Sequence, residues 1–442
     1  MKKTMHSTAG NPVARRTFLH QTGSVLAAAS VLPVARFAHA ASSDTLKLAL
    51  IGCGGRGSGA ANQALHATPG IKLVAMGDVF RDQIDKSAAN LAKQNPDKVD
   101  VSEGNKFVGF DAYKHAIKEA DVVVLATPAA FRPLHFEEAV RQGKHIFMEK
   151  PVAIDAPGVR RVLAAAVEAK KKNLKVGVGL QRRHKGGYVE TVKRIQDGAL
   201  GELQYFRAFW NSAGGRAGIF KKPEWSEMEY QFRNQYYFAH FSGDIHVDQG
   251  LHVTDVINWI KGAYPARCVA QGGNQVRRGP EYGNLFDHYA VQYEYADGTR
   301  LFAENRHTQG CWNSVSEHAH GTKGAADMIN DRGLFVIKGK DDSLWRYDGP
   351  KDDPYQLEHD HLFEAIRKNL PYNEAERGAM STMTCIMGRM AAYSGQQIEW
   401  DDAMKSEKTL APLITSWDAE PPVKPGPDGL YALPVPGKSE PV

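Results

Sequence analysis

Apolar residues along the chain gather into short runs broken by glycine and polar positions, and their spacing predicts strands alternating with helices. Leu46 to Ile51 is a strand-length run; Gly52-Cys53-Gly54-Gly55-Arg56-Gly57 follows at once, and Gly59 to Thr68 is helix-compatible. A second strand, Lys72 to Met76, leads to Asp78. The alternation continues with a helix over Tyr113 to Ala120, a strand over Asp121 to Ala126 ending in Thr127-Pro128, a helix from Pro133 to Gln142, and a strand from His145 to Met148 that runs into Glu149-Lys150-Pro151. Strands that alternate with helices predict a parallel sheet. Further on the pattern changes: Tyr289 to Tyr295 and Leu301 to Asn305 alternate around Ala296-Asp297-Gly298, which predicts a hairpin. Between the two regions lies Ser242 to Asp255, read as a helix start capped by Ser242 or Asp244. There Asp248, His252 and Asp255 recur at i, i+4 and i+7 and share one helix face.

A chain of 442 residues is too long for one compact domain, and its 42% hydrophobic, 24% charged composition excludes collagen-like, disordered and multi-span membrane classes. The net charge of +5 misleads. Lys2, Lys3, Arg15, Arg16 and Arg36 fall in the first 40 residues with no acid beside them; without those five, the 55 basic residues become 50 against 50 acidic ones. No nucleic-acid partner is expected from such a balance. Arg15-Arg16-Thr17-Phe18-Leu19, the weakly apolar run Val25 to Val34 and Ala38-His39-Ala40 resemble a twin-arginine export signal cleaved after Ala40. The resemblance implies the twin-arginine machinery as a partner, a periplasmic or otherwise exported protein, and folding before export. About ten apolar residues interrupted by Pro33 are too few to span a bilayer, so no membrane insertion of the mature chain is expected. Cys53, Cys268, Cys311 and Cys385 are scattered without CxxC pairing and specify neither a disulfide framework nor a zinc site.

Strand, GxGxxG turn and helix in succession read as a dinucleotide-binding unit. Gly52 permits the turn, Gly54 lets the backbone approach a pyrophosphate, Gly57 allows the helix to pack on the strand, and the anion sits at the helix N-terminus. Gly55, Arg56, Thr127, Pro128, Glu149 and Lys150 join them as expected cofactor contacts. Asp78, 26 residues after Gly52, suits a ribose diol and favours NAD; Arg56 and Arg81 are near enough in sequence to accommodate NADP.

The Glu149-Lys150-Pro151 tripeptide at a strand end, with the glycine loop, the Ala126-Thr127-Pro128 turn, the later Asp248-x3-His252, the Gly321-Thr322-Lys323-Gly324 turn, and Ser394-Gly395 before Trp400-Asp401, resembles the glucose-fructose oxidoreductase, inositol dehydrogenase and MocA superfamily. The resemblance implies an α/β fold: an N-terminal Rossmann domain, then a C-terminal α/β domain with a large, mostly antiparallel open sheet, the active site between them. The domains expected are 44–165 and 166–420, with a Pro-rich tail, 421–442, clasping its own body or a neighbouring subunit of a homo-oligomer. It also implies that Lys150 hydrogen-bonds a substrate hydroxyl, that His252 removes its proton and that Asp248 orients the sugar or tunes the lysine. Arg183, His246 and Tyr237 are further candidates for substrate contact. A metal site on His246, Asp248 and His252 is the competing reading of the helix; hydride transfer to NAD requires none, and none is expected. The function implied is an NAD(P)-dependent oxidoreductase acting on a hydroxyl of a sugar or polyol, with tightly bound, internally recycled cofactor because export removes the chain from a soluble nucleotide pool. The alternatives are a glycosidase working through transient ring-hydroxyl oxidation and a carbohydrate-binding protein without turnover.

Overall fold

The run Val122–Leu125 is apolar and buried at every position, as a strand covered by helices on both faces must be. In the computed structural model, which describes residues 45–442 apart from positions 215 and 412, this run belongs to a six-stranded parallel sheet. The export signal expected at residues 1–40 lies outside the described residues. The strands are β1 (Leu46–Ile51), β2 (Ile71–Asp78), β3 (Lys106–Val108), β4 (Val122–Leu125), β5 (His145–Met148) and β6 (Val176–Val178), ordered β3-β2-β1-β4-β5-β6. Crossovers run through α1 (Gly55–Ala67), α2 (Arg81–Gln94), α3 (Ala112–Lys118), α4 (Arg132–Arg141) and α5 (Ala156–Lys171). Winding reverses between β1 and β4, and the crevice at their carboxyl ends is where such sheets take ligands.

The expected domain boundary at residue 165 is corrected by the fold. It cuts through α5, and β6, assigned to the second domain from sequence, pairs in parallel with β5. Helix α5 carries the chain across one face and returns it alongside β5, so β6 completes the first sheet.

The second sheet has nine strands. After α6 (Gly186–Gln196) come β7 (Leu203–Ser212), α7 (Glu227–Arg233), α8 (Ala239–Ser242) and α9 (Leu251–Lys261). Then follow β8 (Arg267–Gly273), β9 (His288–Glu294), β10 (Arg300–His307), β11 (Ser314–Gly321), β12 (Gly324–Ile329), β13 (Leu334–Gly339) and β14 (Leu344–Arg346). Helices α10 (Pro354–Arg367) and α11 (Ala375–Ser394), the short β15 (Ile398–Glu399) and α12 (Trp400–Lys405) close the series. The order is β14-β13-β12-β11-β7-β10-β9-β8-β15; only β7 and β10 run parallel. The hairpin read from sequence is β9 and β10, paired antiparallel. One face of this sheet is apolar, with Phe206, Ala208, Leu301 and Ala303 buried. The largest core cluster joins these residues to α9 and α11 and to Met148 and Val152 of the first domain, so the two sheets share one interior. Met383, Met387 and Met390 of α11 lie buried in it as packing residues.

Candidate active site

The glycine loop behaves as its spacing requires. Gly52 has φ +89°, and a Cβ there would lie 2.5 Å from the Thr127 nitrogen and 2.6 Å from the Ala126 carbonyl carbon. A Cβ on Gly57 would collide with the Gly52 carbonyl oxygen. Gly54 and Gly55 differ: a Cβ on either meets nothing within 4 Å, so open space lies beside the backbone at the N-terminus of α1. That opening and the unsatisfied amides of the first helical turn fit a pyrophosphate. Asp78 ends β2 against the same loop; Oδ2 accepts from Cys53 N at 2.7 Å and Oδ1 from Phe80 N at 3.0 Å. Burial raises its pKa, and the backbone donors hold it partly in check.

Both candidate NADP cations are already engaged. Arg56 Nε pairs with Glu149 Oε1 at 2.6 Å, its Nη2 donates to Gln63 Oε1 at 2.7 Å, and its guanidinium lies 5.1 Å from the Tyr355 ring centre. Arg56 therefore ties the glycine loop to the strand end that carries Lys150. Arg81 donates to Asp85 at 2.8 Å and to Glu103 at 2.5 Å. Thr127 sits at the end of β4, its carbonyl accepting from Arg132 Nη2 at 2.7 Å and its Oγ1 3.1 Å from His135 Nδ1; Pro128 then turns the chain into α4's approach. These positions fit a dinucleotide lying across the carboxyl edge of the sheet with its phosphates over Gly54.

Lys150, directly past β5, reaches across to the second domain. Its Nζ donates to the Asp248 carbonyl oxygen at 2.5 Å and pairs with Asp248 Oδ1 at 3.2 Å. The helix expected from Ser242 onward begins differently. Gly243 (φ +82°) and Asp244 (φ +76°) swing the chain sharply, and His246–Gly250 forms a π turn before α9. Neither Ser242 nor Asp244 caps the helix; Asp244 Oδ2 accepts instead from the hydroxyls of Tyr289 (2.7 Å) and Tyr393 (2.5 Å). A wide turn of this kind shifts the side chains that follow relative to those before it. Asp248 lies in the turn, toward Lys150, and His252 lies just beyond.

His252 is 7% exposed and its ring lies 5.3 Å from that of Trp210 at 24°. Burial, reinforced by the charges of Lys150, Arg182 and Arg56, drives its pKa well below the ordinary histidine value. The imidazole is therefore neutral at neutral pH and can accept a proton. Arg182 backs this arrangement: its guanidinium lies 5.6 Å from the Trp210 ring centre and pairs with the buried Glu317, whose other oxygen accepts from the Tyr188 hydroxyl at 2.8 Å. On the far side of Asp248, Oδ2 accepts from Gln249 Nε2 at 2.6 Å. Tyr236, its hydroxyl pKa pushed up by burial and then by the Asp248 charge, borders the same carboxylate.

Three expected substrate contacts point elsewhere. Arg183 is held by both oxygens of Asp255 at 2.8 Å, and Asp255 also accepts from Ser381, so neither faces Lys150. His246 is fully buried with Nδ1 2.5 Å from Asn305 Oδ1 and Nε2 2.7 Å from the Tyr293 hydroxyl, which leaves no ring nitrogen for a substrate or a metal. Tyr237 is 2% exposed; its hydroxyl donates to the Arg216 carbonyl at 2.5 Å and accepts from Arg277 at 2.7 Å. Within two of these segments the neighbouring residues, Arg182 and Tyr236, are the ones whose side chains lie near His252 and Asp248. Both pairs, 182/183 and 236/237, sit in short 3-10 turns, where consecutive side chains leave in different directions. Trp210, on β7, was not singled out from the sequence.

Two family descriptions match successive parts of the chain: an oxidoreductase family with an NAD-binding Rossmann fold, GFO_IDH_MocA, over residues 46–179, and the GFO/IDH/MocA C-terminal domain over 188–327. The chain is 23% identical over 332 residues to a scyllo-inositol 2-dehydrogenase (NAD(+)) of Bacillus subtilis, covering 73% of this chain and 86% of that one. Its fold is similar to that of an aldose-aldose oxidoreductase from Caulobacter crescentus complexed with glycerol (TM-score 0.62, 17% identity, 80% of this chain and 99% of that one). It is also similar to a levoglucosan dehydrogenase in complex with NADH and levoglucosan (TM-score 0.63, 18% identity, 80% and 99%). The glycine loop and the strand end at Lys150 lie within the first matched range and β7 to β11 of the second sheet within the second, and the chain belongs to the GFO/IDH/MocA family of NAD-binding oxidoreductases.

Proposed function

We propose that this protein oxidises and reduces a CH–OH carbon of a sugar or polyol, with NAD held in the crevice between Gly54, Asp78 and Lys150. The observation that carries the reading is the meeting of Lys150, Asp248 and the neutral His252 between the two domains, beside the glycine loop. When bound, the nicotinamide supplies hydride acceptance and return. The Lys150 ammonium hydrogen-bonds the substrate hydroxyl and stabilises the charge that develops on its oxygen. His252 takes the hydroxyl proton on an imidazole nitrogen and gives it back in the reverse direction. Asp248 holds Lys150 in place and offers an acceptor to a neighbouring hydroxyl, while Arg182 and Trp210 fix the plane of the His252 ring.

NAD is preferred to NADP because Asp78 stands at the end of β2 and Arg56 and Arg81 already have carboxylate partners. The twin-arginine-like N-terminus supports a protein loaded before export whose cofactor is regenerated in each cycle by a second sugar. Tyr205, Val269 and Phe302, exposed on the outer face of the second sheet, support self-association. Incubation with inositols, aldoses, levoglucosan and aryl glycosides, without added nucleotide, tests the reading. Paired oxidised and reduced products are expected. Aglycone release with deuterium uptake from solvent would replace it with the glycosidase, and binding without turnover would leave only a carbohydrate-binding role.

A further inference from the structure

Helix α11 takes no part in the chemistry above, yet its second half underlies the turn that carries Asp248. The Tyr393 hydroxyl donates to Asp244 Oδ2 at 2.5 Å, the Thr384 carbonyl accepts from the Tyr293 hydroxyl at 3.0 Å, and a Cβ on Gly388 would lie 2.7 Å from His246 Nε2. Arg389 sits among them, fully buried. Its Nη1 donates to two carbonyl oxygens, that of Ile154 at 2.8 Å and that of Gly243 at 3.0 Å. Ile154 lies four residues past Lys150, and Gly243 five before Asp248. One nitrogen thus fastens together the two segments, one from each domain, whose side chains meet at the site.

Neither connection has slack. Toward Lys150, Val152 and Ala153 are fully buried, and Val152 N donates to Thr382 Oγ1 of α11 at 3.4 Å. Toward Asp248, the Asp244 carboxylate accepts from Tyr289, Tyr393 and Phe286 N, and the Asp244 carbonyl accepts from Asp248 N at 2.9 Å. A Cβ on Gly243 would lie 3.2 Å from Ile154 Cγ2, so the two segments already touch. A shift of either carbonyl therefore reaches the contact between Lys150 and Asp248.

The other donors of Arg389 face the proline-rich tail. Nε and Nη2 donate to the Val442 main-chain oxygen at 3.3 and 3.0 Å, and Gly437 N donates to the Ser394 carbonyl at 2.8 Å. Among the described residues, all four Arg389 hydrogen bonds end on main-chain oxygens, contributed by three segments. A planar fork of donors is suited to serving such acceptors at once. We propose that Arg389 is a positioning residue for hydride transfer, holding Lys150 at its working distance from Asp248, and that the tail locks the guanidinium in place. The role rests on the oxidoreductase reading of the site and adds to it a fully buried residue that acts through the backbone.

Two variants test it. Arg389→Gln keeps a donor for one carbonyl but not for both, and a chain stopped after Glu440 keeps Arg389 but removes the Val442 oxygen. Acetylation of Lys150 by limiting acetic anhydride, followed by peptide mass spectrometry, reads its position without substrate; Lys175, just before β6 and 1% exposed, is the reference. Both variants should acetylate Lys150 about threefold faster or more, a modest part of what a hydrogen bond from a charged group contributes, while Lys175 keeps its wild-type rate. Arg389→Gln should also slow single-turnover hydride transfer to NAD, from the inositol, aldose or levoglucosan that the wild-type protein oxidises, by about tenfold, because small misplacements are costly in a preorganised site. In a Lys150→Met background the same substitution should cost less than about twofold, since both act through one contact. Equal slowing in both backgrounds, or faster acetylation of Lys150 and Lys175 together, marks a merely structural arginine and overturns the proposal, as does unchanged Lys150 acetylation in both variants. Unchanged acetylation in the truncated chain alone overturns the lock. A wild-type protein that transfers no hydride from any of these sugars overturns the proposed function and the place of Arg389 in it, whatever the acetylation rates.

Discussion

Replacing Lys150 with Met keeps the length and apolar stem of a side chain that is only 11% exposed and removes its charge. In the wild-type protein Nζ is held 2.5 Å from the Asp248 carbonyl oxygen and 3.2 Å from Oδ1, a preorganised donor in a largely buried cleft. Losing one such donor to a developing oxyanion costs about 2.7–4 kcal/mol, roughly 10²–10³ in kcat. Nucleotide affinity should hardly change, because Lys150 hydrogen-bonds to Asp248 and not to the glycine loop. A second effect follows at His252. Burial depresses its pKa most, and the Lys150 charge depresses it further. In the wild-type protein the base is protonated and lost only as pH falls below that lowered value; without the lysine charge the pKa rises, and the loss comes at higher pH. Single-turnover NADH formation, measured across pH at saturating NAD, reads both effects, with Lys150→Arg retaining the charge and the wild-type acid limb. Turnover within about threefold of wild type, with an unmoved acid limb, would refute the role given to Lys150.

Gly54→Val should abolish NADH binding while leaving thermal stability nearly unchanged, since its Cβ enters open space, whereas Gly57→Ala, aimed at the Gly52 carbonyl, should lower Tm; fluorescence titration and thermal melts separate the two. Asp78→Ala should weaken NAD more than NADP in the same titrations, and an unchanged preference would remove Asp78 from cofactor selection. Arg182→Met leaves Glu317 buried without its partner and should cost about 3–5 kcal/mol in urea unfolding, against a smaller loss for the double substitution Arg182→Met with Glu317→Gln.

The chemistry that sequence reading located best is local and geometric. A GxGxxG turn needs its glycines at fixed places, and the close approach of Gly57 to the Gly52 carbonyl is written within six consecutive residues, whereas the approach of Gly52 to Ala126 and Thr127 is not. Lys150 was singled out by the resemblance of Glu149-Lys150-Pro151 to a family tripeptide at a strand end, since a lone lysine after a strand reads as a solvated loop cation. What stayed hidden depends on long-range pairing. Val176–Val178 reads as a strand, but only its hydrogen bonds to β5 say which sheet it joins. The helix face read at Asp248, His252 and Asp255 assumed a regular α-helix; a π turn over His246–Gly250 shifts Asp248 relative to the two α9 residues, and Asp255 is taken up by Arg183. His246 offered a plausible ligand in sequence and proved to be a buried hydrogen-bonding post between Asn305 and Tyr293, both more than 45 residues away. Nothing in the pattern before the proline-rich tail hinted that Trp417 would pack against Phe80, Phe110 and Phe232.

The central claim is that hydride passes between a substrate CH–OH carbon and NAD at the Lys150–His252 site. The most direct measurement is mass spectrometry of the nucleotide after the purified protein has been incubated with NAD and inositol, levoglucosan or aldose deuterated at its carbinol carbons. One deuterium on the nicotinamide of the reduced cofactor, strongly reduced in Lys150→Met at equal nucleotide occupancy, is the predicted result. Consumption of substrate with no deuterium on the nucleotide at any time would contradict the account.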